Sequence, residues 1–131
     1  LQSCYTQATL ADLVALADAA RYAKRQDIAL AALSAQRSRF AGSGPAHTAA
    51  FLLGRLADDG GSQSDALKWY DRYLREAPSG PLAPEALGRK MIALRSLKWD
   101  AAREVAGEYL RRFPDGPYRA RALELTATKG P

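Results

Sequence analysis

Valine and isoleucine are nearly missing from this sequence, with only Val14, Ile28, Ile92 and Val105 among 131 residues. Strands draw on β-branched side chains, so this small supply argues against an all-β fold. Cys4 is the single cysteine, and no internal disulfide can form. His47 is the single histidine, which leaves too few ligands for a Cys/His zinc site. These two are also the only obvious nucleophile–base pair, and each lies at a terminus or a helix entrance, so catalysis is not expected. A phosphate-cradling loop is missing as well: Gly42-Ser43-Gly44 runs into Pro45, which has no N–H to donate. These residues imply no cofactor and no metal. No stretch reaches the roughly 18 apolar residues that a membrane span needs, and no run of five or six like charges occurs.

Alanine and leucine are abundant instead, 27 and 18 residues, and both favour helices. With 47% hydrophobic and 25% charged residues, the chain reads as one ordinary folded domain. Its net charge of +5 is uneven. Residues 1–85 hold nine basic and nine acidic groups, whereas residues 86–131 hold ten basic and five acidic. The main expectation is a set of solvated helix faces; the alternatives are an acidic partner, a membrane surface or nucleic acid. The start, Leu1-Gln2-Ser3-Cys4, is similar to the end of a lipoprotein signal, although no apolar segment precedes it. Cys4 is expected to be a free thiol near the boundary of an excised or processed piece, with lipidation as the alternative.

The chain repeats. Gly-Pro occurs at Gly44-Pro45, Gly80-Pro81 and Gly116-Pro117, spaced by 36 residues. Each follows an amphipathic stretch ending at Arg39-Phe40, Glu76-Ala77 or Arg112-Phe113, and precedes Ala50-Phe51, Ala86-Leu87 or Ala122-Leu123. Apolar periodicity predicts helix pairs at 9–23 and 27–40, 47–58 and 64–77, 84–97 and 100–113, with a last helix at 117–126. Thr9 with Asp12 resembles a capping box, and Ser62 or Ser64 can cap the helix after Gly60-Gly61. Pro84 suits a first helical turn, while Pro78 and Pro114 stop helices. Tyr70 is expected in the core, with either Trp69 or Tyr73 the more exposed.

Leu53-Gly54, Ala57, Gly61, Ala66, Tyr70 and Pro78 resemble a unit of the tetratricopeptide repeat (TPR) family. Ala29, Leu33 and Phe40 correspond in the first unit, and Ala102, Ala106 and Pro114 in the third. In that third unit Lys90 stands where a small residue is usual and Leu97 where Gly is usual. The segments 77–81 and 113–118 are similar to a bacterial envelope subgroup, which includes TolA-binding and outer-membrane assembly lipoproteins and extracytoplasmic regions of anti-sigma-like proteins. Fourteen arginines against five lysines fit a GC-rich genome. The resemblance implies an all-α, right-handed superhelix of three antiparallel helix pairs plus a C-terminal capping helix. Its parts would be a lead-in at 1–8, one domain at 9–126 (units 9–44, 45–80, 81–116 and the end helix) and a tail at 127–131. It also implies a cell-envelope, periplasmic location, with the cytoplasm as the alternative.

Register with the repeat places Asp18, Arg21 and Tyr22, then Arg55, Asp58 and Asp59, then Met91, Leu94 and Arg95 on the inner wall. Arg55 and Arg95 could fork onto a carboxylate, and Tyr22 and Met91 could give apolar contact. Two acids, Asp58 and Asp59, at a helix C-terminus oppose the dipole, which hints at a use. The clamp by which some TPR domains hold acidic chaperone tails is missing: its positions carry Val14, Asp18, Leu52, Pro84 and Gly88. The expected function is non-catalytic binding of a peptide or partner domain in the groove. The alternatives are oligomerisation through the end of the stack and, less favoured, basic nucleic-acid binding. Membrane association would come only through an anchor elsewhere or a lipidated Cys4.

Overall fold

A computed structural model describes residues 2–127 and is all-α, with no strand among the described residues. Leu1, Lys129 and most of the expected tail lie outside them. The helices are α1 (Gln2–Gln7), α2 (Leu10–Tyr22), α3 (Gln26–Arg39), α4 (Gly44–Asp59), α5 (Gln63–Glu76), α6 (Ala83–Leu97), α7 (Trp99–Arg112) and α8 (Arg119–Ala127). Each of α2 to α8 packs on its neighbour in chain order, and α1 packs on α3. The expected lead-in is therefore itself partly helical. Tyr5 is buried against the first pair, and Arg39 Nη1 donates to the carbonyls of Tyr5 (2.6 Å) and Ala8 (2.7 Å).

The core is a row of three clusters joined by shared residues. The first draws on α1 to α4, and Leu52 and Trp69 link it to the second, built around Phe51, Tyr70 and Tyr73. Leu74 and Phe113 link the second to the third, which holds Leu87, Met91 and Tyr109. Alanines at full burial, such as Ala29, Ala49, Ala66, Ala86 and Ala102, let neighbouring helices approach closely. The large residues supply most of the burial energy, about 1.5–3 kcal/mol for each side chain the size of Leu13 or Leu33.

Local chemistry sets the helix ends. Thr9 Oγ1 accepts from the Asp12 N–H at 3.1 Å, as a cap should. Ser43 Oγ caps α4 in the same way at 3.2 Å, so α4 starts at Gly44, earlier than the predicted 47. Pro45 fits that first turn because its missing N–H would lack an intrahelical acceptor there. Ser62 stands before α5 but does not cap it; its hydroxyl donates to Asp65 at 2.9 Å. Pro84 lies in the first turn of α6, as predicted.

The repeat in space differs from the Gly-Pro spacing. Equivalent buried positions are 37 apart from α3 to α5, as with Ala29 and Ala66 or Gln36 and Tyr73, and from α4 to α6, as with Ala49 and Ala86. From α5 to α7 they are 36 apart, as with Ala66 and Ala102 or Tyr73 and Tyr109. The lost residue is in the turns. Lys24 (φ 59°) and Gly61 (φ 84°) make left-handed turns within the first and second pairs. Between α6 and α7 a single extended residue, Lys98, suffices, so Leu97 needs no left-handed backbone.

The second and third units then repeat one device. Tyr73 Oη accepts from the Leu82 N–H at 3.0 Å, and Tyr109 Oη accepts from the Tyr118 N–H at 2.9 Å. The hydroxyls pack so closely on Gly80 and Gly116 that a Cβ at either would collide with them. Gln36, at the equivalent place in the first unit, reaches back instead, donating from Nε2 to the Leu13 carbonyl at 3.2 Å.

Candidate functional site

Three of the residues singled out by sequence, Arg21, Arg55 and Asp59, line one open groove with Lys24, Gln26 and Leu56. It encloses about 480 Å³. Arg21 comes from the last turns of α2, Arg55 and Asp59 from the end of α4, and Lys24 from the intervening turn. Arg21 Nη1 lies 3.4 Å from Asp18 Oδ1. Arg55 Nε is buried and has no hydrogen-bond partner among the described residues. Tyr22 stands beside this groove in sequence and is 93% exposed, so it is available for apolar contact.

A second groove of about 380 Å³ opens between α2 and α4. Val14, Asp18, Thr48 and Leu52 line it with Gly44 and Pro45, and the buried Leu33 and Gln36 form its base. Asp18 belongs to this groove, and its ion pair with Arg21 joins the two.

The remaining expected residues scatter. Asp58 turns away from Asp59: it accepts a hydrogen bond from the Tyr70 hydroxyl and lies 3.7 Å from Arg89 Nη1. Its use is to tie α4 to α5 and α6. Burial, and then the Asp58 carboxylate, push the Tyr70 phenol well above its ordinary value. Burial, and then the Glu85 carboxylate, push Tyr118 up to about 12. Met91 is fully buried in the third cluster and Leu94 is buried beside it, so neither faces a groove. Met91 stands 37 residues after Gly54, at the same core position, whereas the 36-residue register had aligned it with Arg55. Arg95 lines a separate, smaller groove with Trp99, Arg121, Glu124 and Leu125.

Sequence reasoning missed Lys24 and Gln26. The available signal was Lys24 itself, which occupies the turn position that Gly61 holds in the next unit. Of the aromatic pair, Tyr73 is buried and Trp69 is the more exposed, with the Arg37 guanidinium over its ring at 5.4 Å. Much of the basic surplus is engaged within the fold. Lys90 pairs with Asp71 at 2.8 Å, Arg112 pairs with Glu108 at 2.9 Å and donates to the Pro78 carbonyl at 2.6 Å, and Arg103 donates to the Thr126 carbonyl at 3.3 Å. No helix among the described residues is long and apolar enough to cross a membrane. Cys4 is exposed.

Comparison with protein-family models and with curated proteins finds no match. The geometry itself defines the class, an all-α stack of helices packed in chain order.

Proposed function

We propose that the chain is a TPR-like, right-handed superhelix of three antiparallel helix pairs, capped by α8, and that it is a non-catalytic module binding an extended peptide. The peptide would lie in the α2–α4 groove. One observation carries this reading. Val14, Asp18, Thr48 and Leu52, from helices that are not consecutive in the chain, line one open, mixed apolar and polar groove. Its volume is of the size that accepts a few ligand side chains. Packing in chain order supports the solenoid reading, because stacked pairs expose the first helix of each pair along one wall. The bacterial-envelope setting rests on the resemblance of segments 77–81 and 113–118.

Selection from a random peptide library on the immobilised chain tests the proposal. Enriched peptides should lose at least about tenfold in affinity on Thr48→Arg, which fills the groove from a partly exposed position. Equal binding to the variant would contradict the groove.

A second reading, self-association through the α8 end, is favoured by the exposed Leu123 and Leu97. Sedimentation would then show a mass that rises with concentration; a constant monomer mass would dismiss it.

A further inference from the structure

Lys24 is the one non-glycine residue with positive φ among the described residues. A side-chain-bearing residue is disfavoured there, and the equivalent turn in the next pair uses Gly61. The turn thus has no need of lysine. The side chain, however, lines the 480 Å³ groove beside Arg21, Gln26 and Arg55. Its ammonium has no carboxylate within ion-pair distance among the described residues. Arg55 Nε is buried without an acceptor, a state that costs free energy unless something accepts its proton. Three cations face one carboxylate, Asp59, in this lining. If Asp18 is set against Arg21, one positive charge remains. Cations near helix C-termini also offset the helix dipole. That accounts for Arg21, but not for a left-handed lysine or an unpaired buried guanidinium N–H.

We propose that Lys24, Arg55 and Arg21 form a binding site for an oxyanion, a carboxylate or a phosphate. Arg55 donates through its guanidinium, Gln26 adds a neutral donor from the first residue of α3, and Lys24 supplies a point charge. As the anchor for an acidic group on the bound segment, the site rests on the groove reading, since the Asp18–Arg21 pair joins the two grooves. As an oxyanion site it stands without that reading.

The test is an NMR titration of the full chain with inorganic phosphate and, separately, with succinate, at an ionic strength held constant by chloride. The Arg55 Nε–H and Gln26 amide signals should shift saturably with at least one oxyanion. Saturation by phosphate alone assigns a phosphate group; saturation by succinate assigns a carboxylate. Lys24→Gly should weaken the apparent affinity by about fivefold or more. The same variant should raise Tm, because glycine relieves the turn, which shows that the weaker binding is not loss of fold. Arg55→Gln should weaken binding similarly. Shifts no larger than those with chloride, or binding unchanged in Lys24→Gly, would overturn the proposal. No peptide is needed, so this site and the α2–α4 groove can fail separately.

Discussion

Arg37 holds three helices with one guanidinium. From α3 it forks onto Glu76 at the end of α5 at 2.9 and 2.7 Å, and it donates to the Ala46 carbonyl of α4 at 2.7 Å. Its flat face lies over Trp69. Side chains this well shielded hold a charged hydrogen-bonded pair better than a surface pair would. Arg37→Met should therefore cost about 1–3 kcal/mol in urea unfolding. The Arg37 guanidinium also holds the Glu76 carboxyl below the ordinary glutamate value near 4.5. A depressed folded-state pKa gives stability that is present above the unfolded pKa and lost as pH falls through the folded one. Glu76→Gln should then destabilise at pH 7, and its difference from the parent chain should shrink as pH falls below about 4.5. A difference constant from pH 7 to pH 3 would contradict this pairing.

At the scale of elements, one dipeptide does two jobs. Gly44 begins α4, and a Cβ there meets open space. Gly116 lies in the turn before α8 and is pressed against the Tyr109 hydroxyl and ring. Gly44→Ala should be neutral or stabilising by up to ~1 kcal/mol, whereas Gly116→Ala should cost about 1–3 kcal/mol; thermal unfolding of the two variants separates them. The letters Gly-Pro could not tell these geometries apart. What was legible was the helical period of small and large residues, because Ala29, Leu33, Ala66 and Tyr70 must face a neighbour whatever the turn does. What was not legible was the single residue gained or lost in a turn. That slip carried Met91 from the core to a supposed inner wall, while Arg21, Arg55 and Asp59 came together because they flank turns of equal length. Lys24 was overlooked because its correspondence to Gly61 shows only in the 37-residue register, which the Gly-Pro spacing of 36 hid.

Across the whole molecule, stability is spread along a row of clusters and not held in one centre. In such an array each element depends on its immediate neighbours. Helix α1 touches chiefly α3, whereas α4 and α5 are packed from both sides. Amide hydrogen exchange should be fastest in α1 and slowest in α4 and α5; equal protection in α1 and α5 would contradict a serial arrangement. The charge surplus reads differently at this scale. The cations of residues 86–131 include several that bind helices together, so the positive groups best placed for a partner are Arg21, Lys24 and Arg55, where the turn after α2 meets the end of α4. The proposed partner segment enters between α2 and α4. Amide shift mapping on the full chain, with the tightest peptide from the library, tests it most directly. The largest shifts should fall at Val14, Asp18, Thr48 and Leu52; shifts centred on α7 and α8, with these four unmoved, would rule out entry between α2 and α4.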